Sequence, residues 1–161
     1  CILVGGAIGR GDVYAARRIG WNASICAMLM MGVAAVVTAS LRFDIPYWFT
    51  GHGAVDAQAT AVLASGFLLV VAMFHIFDGL QAILLGALRG LADVRYPALL
   101  MFVIFWVVSL PCGWFMAFRM NMGGMGVWYA LMGGLIVLSL MLPLRFHYQI
   151  LRIAESEGSI E

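Results

Sequence analysis

One carboxylate stands alone deep in an apolar segment. It is Asp78, in the run from Ala57 to Leu88, and no Lys, Arg, Glu or second Asp occurs between Asp56 and Arg89. A helix rises about 1.5 Å per residue, so Asp78 lies about 16 Å from Arg89. With Arg89 at the water boundary, Asp78 falls near the midplane of a hydrocarbon core about 30 Å thick. An ionisable group at that depth costs about 2.5 kcal/mol or more and by default marks an ion or proton site. His75 and Gln81 flank it at steps of three residues, which places all three on one helix face. The expected chemistry is cation or proton binding at Asp78, with His75 and Gln81 lining the same site. The competing reading is a structural hydrogen-bonded cluster that joins helices.

The elements that position these residues are legible from hydropathy. The 161 residues are 64% hydrophobic and 11% charged, and the mean hydropathy is +1.01. A soluble domain of this size would leave too much apolar surface facing water, whereas a bilayer accepts it. After an apolar stub at Cys1–Gly9, long apolar stretches occupy about 19–41, 59–88, 97–118 and 124–144. Each is long enough to span, and continuous runs favour helices over the ten-residue alternations of a barrel. The expected fold is an all-α integral membrane protein, with four complete transmembrane helices and the end of a fifth. The chain begins at Cys1 inside an apolar run and is expected to be a piece of a longer protein.

Arginines set the expected orientation. Arg10, Arg17, Arg18, Arg89, Arg95, Arg145 and Arg152 fall on one side of an alternating topology, and only Arg42 and Arg119 fall on the other. That asymmetry places the first group, and the C-terminus, in the cytoplasm, and the loop carrying His52 outside. Pro97 suits the first turn of a helix. Pro111 should bend the third span and free carbonyls near position 107. Pro143 reads as a terminator, and the acidic tail AESEGSIE should fray. Gly5/Gly9 and Gly86/Gly90 carry the spacing that permits close helix approach. Cys26 and Cys112, inside apolar runs, read as small buried hydrophobes.

Several function classes are disfavoured. The arginines are scattered at segment ends, not massed on a face, so nucleic acid is not an expected partner. No Ser/His/Asp or Cys/His set converges at one depth and no metal-ligand spacing occurs, so no enzyme is expected. Arg10-Gly11-Asp12 spells an adhesion tripeptide, but on a cytoplasmic loop it is read as chance.

At Phe77–Pro97, FDGLQAILLGALRGLADVRYP, the chain resembles the multidrug and toxic compound extrusion (MATE) family through Asp78, Gln81, Gly86, Leu88, Arg89, Gly90, Asp93 and Pro97. GRGDVYAARR resembles the loop after that family's eighth helix. LPCGWFMAF and GGMGVWYALMGG are similar to the stretches spanning its eleventh and twelfth helices. The resemblance implies a twelve-helix, two-lobe transporter working by alternating access. Residues 1–148 would then be part of the C-terminal lobe, from the end of helix eight through helix twelve, and 149–161 a cytoplasmic polar tail. It implies that Asp78 helps bind the coupling Na⁺ or H⁺, together with a glutamate from a helix outside this chain. Some members carry a tyrosine one turn before the aspartate. Here Phe74 stands there, so that ligand is lost while the position still lines the cavity. Gly86, Arg89, Gly90, Asp93, Pro97 and Pro111 read as structural residues of the family motifs.

The implied activity is cation-coupled efflux of organic, often cationic, compounds across a bacterial inner membrane. Its partners would be the bilayer, the substrates and the N-terminal lobe of the same protein, with no cofactor beyond the coupling ion. The segment alone is not expected to transport. A lipid-linked oligosaccharide flippase of the same superfamily and a non-transporting membrane subunit are the alternatives.

Overall fold

Asp12 ends one helix and starts the next. In the computed structural model, which describes residues 1–50 and 57–158, α1 spans Ile2–Ile8 and α2 spans Val13–Ser40. The Asp12 N–H donates to Ala7 O at 3.0 Å and the Gly11 N–H to Ile8 O at 2.9 Å, closing the last turn of α1. Gly11 supplies the required left-handed residue at φ +74°. The Asp12 carboxylate then accepts from the Ala15 N–H at 2.8 Å and caps α2. The adhesion-like triplet is therefore the joint of a helical hairpin.

The second hairpin repeats the device. α4, Ala57–Gly90, is closed by Asp93 N–H to Leu88 O at 3.0 Å and Ala92 N–H to Arg89 O at 3.1 Å. Here an alanine, Ala92, takes the left-handed position at φ +60°. The next span begins as α5, Arg95–Phe102, with Pro97 buried in its first turn as expected. It continues through a π-helical stretch, Val103–Ser109, into α6, Leu110–Phe118, and the chain ends in α7, Gly124–Gly158.

Four helices are long and apolar enough to cross a membrane: Val13–Ser40, Gln58–Gly90, Arg95–Phe118 and Gly124–Glu155. They match the four expected spans in number and order, although the first starts earlier, at Val13, and the last runs past 144 to Glu155; α1 forms at the expected apolar stub. The segment after α2 was expected to be loop, but it contains the short helix α3, Asp44–Thr50. Residues 51–56, His52 and Asp56 included, lie outside the described residues.

Several local expectations are corrected. The disturbance expected at Pro111 sits upstream of it, as seven residues of π-helix ending with the Leu110 N–H on Phe105 O. A proline lacks a donor and its ring presses on the carbonyl four residues back, and the wider π register relieves that crowding. Pro143 does not terminate its helix. α7 runs through it to Gly158, so the segment expected to fray is helical to that residue. The flanking Leu142, Phe146 and Ile150 are buried in the core, and that packing outweighs one lost backbone bond. Cys26 and Cys112 are exposed rather than buried, because apolar residues on a spanning helix face lipid as readily as protein.

α4 is the central element, touching α1, α2, α3 and α7, while the third span packs chiefly on α7. The core lies toward one end of the bundle: Val4, Ala7, Val13, Ala16, Leu84, Ala87, Leu88, Leu142, Phe146 and Ile150. Glycine permits the tightest contacts there. A Cβ on Gly90 would meet Cys1 O at 2.8 Å and Gly5 N at 3.1 Å, so that glycine pair does bring α1 against α4. Gly86 has room to spare, and Gly9 meets only its own helix.

Candidate functional site

The expected trio is split by the helix itself. Steps of three residues lag the 3.6-residue turn, so Gln81 lies about 120° around α4 from His75. Phe74, His75 and Asp78 line a cleft of about 340 Å³ with Val71 and, from α7, Trp128. Gln81 turns away from it. Its side chain is 5% exposed, and Oε1 has no hydrogen-bond partner among the described residues.

Asp78 is exposed at the cleft and has no hydrogen bond or ion pair to any described residue. His75 Nδ1 donates to Val71 O at 2.7 Å, a bond within its own helix that fixes the ring. Phe74 and Trp128 meet edge to face at 5.6 Å between centroids, and Phe67 extends the aromatic wall to Trp128 at 6.2 Å. The cleft thus offers one free carboxylate, one imidazole and aromatic ring surface, a combination that attracts organic cations. Among the described residues no three His, Cys, Asp or Glu side chains gather into a metal cluster. Trp128 and the Val71 carbonyl are the participants that sequence reasoning missed. A lone tryptophan in a membrane span was a usable signal for the first, and nothing in the sequence marked the second.

The second carboxylate of α4's hairpin behaves in the opposite way. Asp93 Oδ2 accepts from Arg145 Nε at 2.7 Å and from Gln149 Nε2 at 2.8 Å. Arg145 also lies over the Tyr96 ring, 4.2 Å from its centroid. Burial alone would push the Asp93 carboxyl up. The hydrogen bonds from Arg145 and Gln149, the guanidinium charge and the Tyr96 backbone N–H outweigh it and hold the carboxyl below its ordinary value. This clamp ties the α4–α5 turn to α7. The four-residue spacing of Arg145 and Gln149 places both on one face, but nothing in the sequence named their partner. Arg89 is exposed beside this turn, on a small cavity it shares with Asp93 and Pro97.

A model of the MatE family matches residues 1–115, most of the chain. The chain belongs to the MatE family. A probable multidrug resistance protein NorM from Rhodopseudomonas palustris is 39% identical over 146 residues, covering 91% of this chain and 31% of that relative. The multidrug resistance protein NorM of Burkholderia vietnamiensis is 34% identical over 146 residues, covering 91% and 32%. The crystal structure of the eukaryotic MATE transporter AtDTX14 superposes with a TM-score of 0.79 over 96% of this chain and 34% of that one. At 20% sequence identity it speaks for the fold. This MatE chain spans about a third of the length of the NorM relatives it matches. With its four apolar spans it is an integral membrane protein.

Proposed function

We propose that this chain forms part of the C-terminal lobe of a cation-coupled multidrug efflux antiporter, and that Asp78 is its coupling carboxylate. The observation that carries the reading is Asp78 at the cleft, without a hydrogen bond or ion pair to any described residue, midway along an otherwise uncharged stretch of α4. A carboxylate that is already paired, like Asp93, has no free valence for a travelling ion; Asp78 has. It supplies one acidic ligand for Na⁺, which needs several oxygens, or one acceptor for H⁺. Phe74 adds no oxygen, so the remaining ligands are water or groups from the rest of the protein. The aromatic wall of Phe74 and Trp128 suits a flat organic cation. Exchange follows if the ion and the substrate bind Asp78 in different conformations, since only differential affinity shifts such an equilibrium. The seven arginines on one side support a cytoplasmic C-terminus. A cysteine placed at the exposed Tyr14 should react with an impermeant thiol reagent only from the cytoplasmic side.

The deciding experiment is Asp78→Asn in the full-length protein in proteoliposomes. The amide keeps size and hydrogen bonding and removes the charge, so insertion and expression should persist. Ion-driven efflux should fall at least about tenfold, while Asp78→Glu keeps part of it. Parental efflux by the Asn variant under the same ion gradient would make Asp78 structural, as the subunit reading requires.

A further inference from the structure

The imidazole beside Asp78 has a defined tautomer, and that tautomer has a consequence for substrate choice. A carbonyl oxygen only accepts, so the Nδ1 that meets Val71 O at 2.7 Å carries the proton. In the neutral ring Nε2 is then an acceptor. No described residue donates to it. His75 and Asp78 stand three residues apart on α4, their Cβ atoms about 5–6 Å from each other, and both line the same cleft. The cleft therefore presents two hydrogen-bond acceptors, one charged and one neutral, beside the Phe74–Trp128 wall.

We infer that His75 makes this cleft selective for planar cations with more than one N–H donor, amidinium or guanidinium groups, over cations of equal charge whose nitrogens are fully alkylated. The inference rests on the reading of the cleft as the cation site. Asp78 and the aromatic rings attract either kind of cation, by charge and by ring quadrupole. A single N–H satisfies Asp78 alone. A second N–H on the same flat cation reaches Nε2, and a charge-assisted bond of that kind is worth about a tenfold change in affinity. A fully methylated cation offers no donor and leaves Nε2 unpaired.

The test compares binding of a fluorescent aryl amidinium and its fully N-methylated counterpart to the full-length protein. The parental protein should favour the amidinium. His75→Leu should cut that preference about tenfold by weakening the amidinium alone, and His75→Gln, which keeps an acceptor, should restore most of it. An unchanged preference in His75→Leu overturns the inference, as does equal weakening of both cations, which would mean that His75 only packs. Asp78→Asn separates this failure from that of the site. If the cleft is the cation site, both cations weaken in that variant whatever His75 does. If neither weakens, the cation-site reading falls and the His75 inference with it.

Discussion

The two halves of this bundle use the same residue types to opposite ends. Toward the Asp93 end, α1, α2, α4 and α7 converge on Leu84, Leu88, Leu142 and Phe146, all fully buried, and the carboxylate there is held by two donors. Midway along α4, the carboxylate has no partner among the described residues and the neighbouring side chains leave a cleft. Both aspartates belong to the same helix or its closing turn, so sequence neighbourhood does not separate them. What separates them is whether α7 presents a donor or a ring: Arg145 and Gln149 face Asp93, Trp128 faces Asp78. A satisfied carboxylate rigidifies its surroundings, whereas an unsatisfied one is available to a ligand.

The largest expected effect tests the packing side of that contrast. Phe146 is fully buried, sits edge-on to Trp21 and presses on Gly20, where a Cβ would collide with its ring. Phe146→Ala should destabilise by about 3 kcal/mol, since the cavity cannot collapse onto Gly20. Trp128→Ala, beside the open cleft, should lose less than about 1 kcal/mol while weakening binding of organic cations. Equal losses in thermal unfolding in detergent would erase the distinction between the two halves.

A smaller effect tests the electrostatic side. Arg145→Ala leaves Asp93 half-buried with Gln149 as its remaining side-chain donor, and should cost about 2 kcal/mol. The parental protein should also show an acid limb. Because the folded Asp93 carboxyl lies below its ordinary value near 3.8, its contribution is complete above that value. It disappears as the pH falls through the lower, folded one. Asp93→Asn should flatten that limb in unfolding measured from about pH 5 to about pH 2, whereas Asp78→Asn should leave it in place.

The smallest effect sharpens a comparison between the two hairpin joints, Gly9-Arg10-Gly11-Asp12-Val13 and Gly90-Leu91-Ala92-Asp93-Val94. Both close a helix through the aspartate N–H, but one uses glycine and the other alanine at positive φ. Gly11→Ala should cost about 1 kcal/mol, and Ala92→Gly should gain a few tenths, roughly 0.5 kcal/mol. If Ala92→Gly is strongly destabilising in the same unfolding assay, Ala92 has a packing role that the turn geometry does not reveal.

Much of this arrangement was legible before any coordinates. The four spans, the short first helix, Pro97 in the first turn of α5 and the isolation of Asp78 all follow from where charges and prolines interrupt apolar runs. The errors share a cause. Pro111, Pro143, the helical tail, Cys26 and Cys112 were judged from local propensity or composition, but neighbours decide whether a proline is accommodated and which apolar face meets protein. His75 and Gln81 lie on opposite sides of Asp78, about 120° apart around α4, and only His75 shares the cleft with it, while Gln81 is buried.

By itself, then, the sequence determined the membrane class, the number and approximate placement of the spans and the one carboxylate embedded in α4. These depend on transfer between water and hydrocarbon, which acts on each segment separately. Only the tertiary structure decided that Asp93 is clamped, that Gln81 is buried away from the cleft, and that His75 and Trp128 join Asp78. Those outcomes depend on which face of α4 meets α7, and such pairing is set by side-chain fit between helices far apart in the chain.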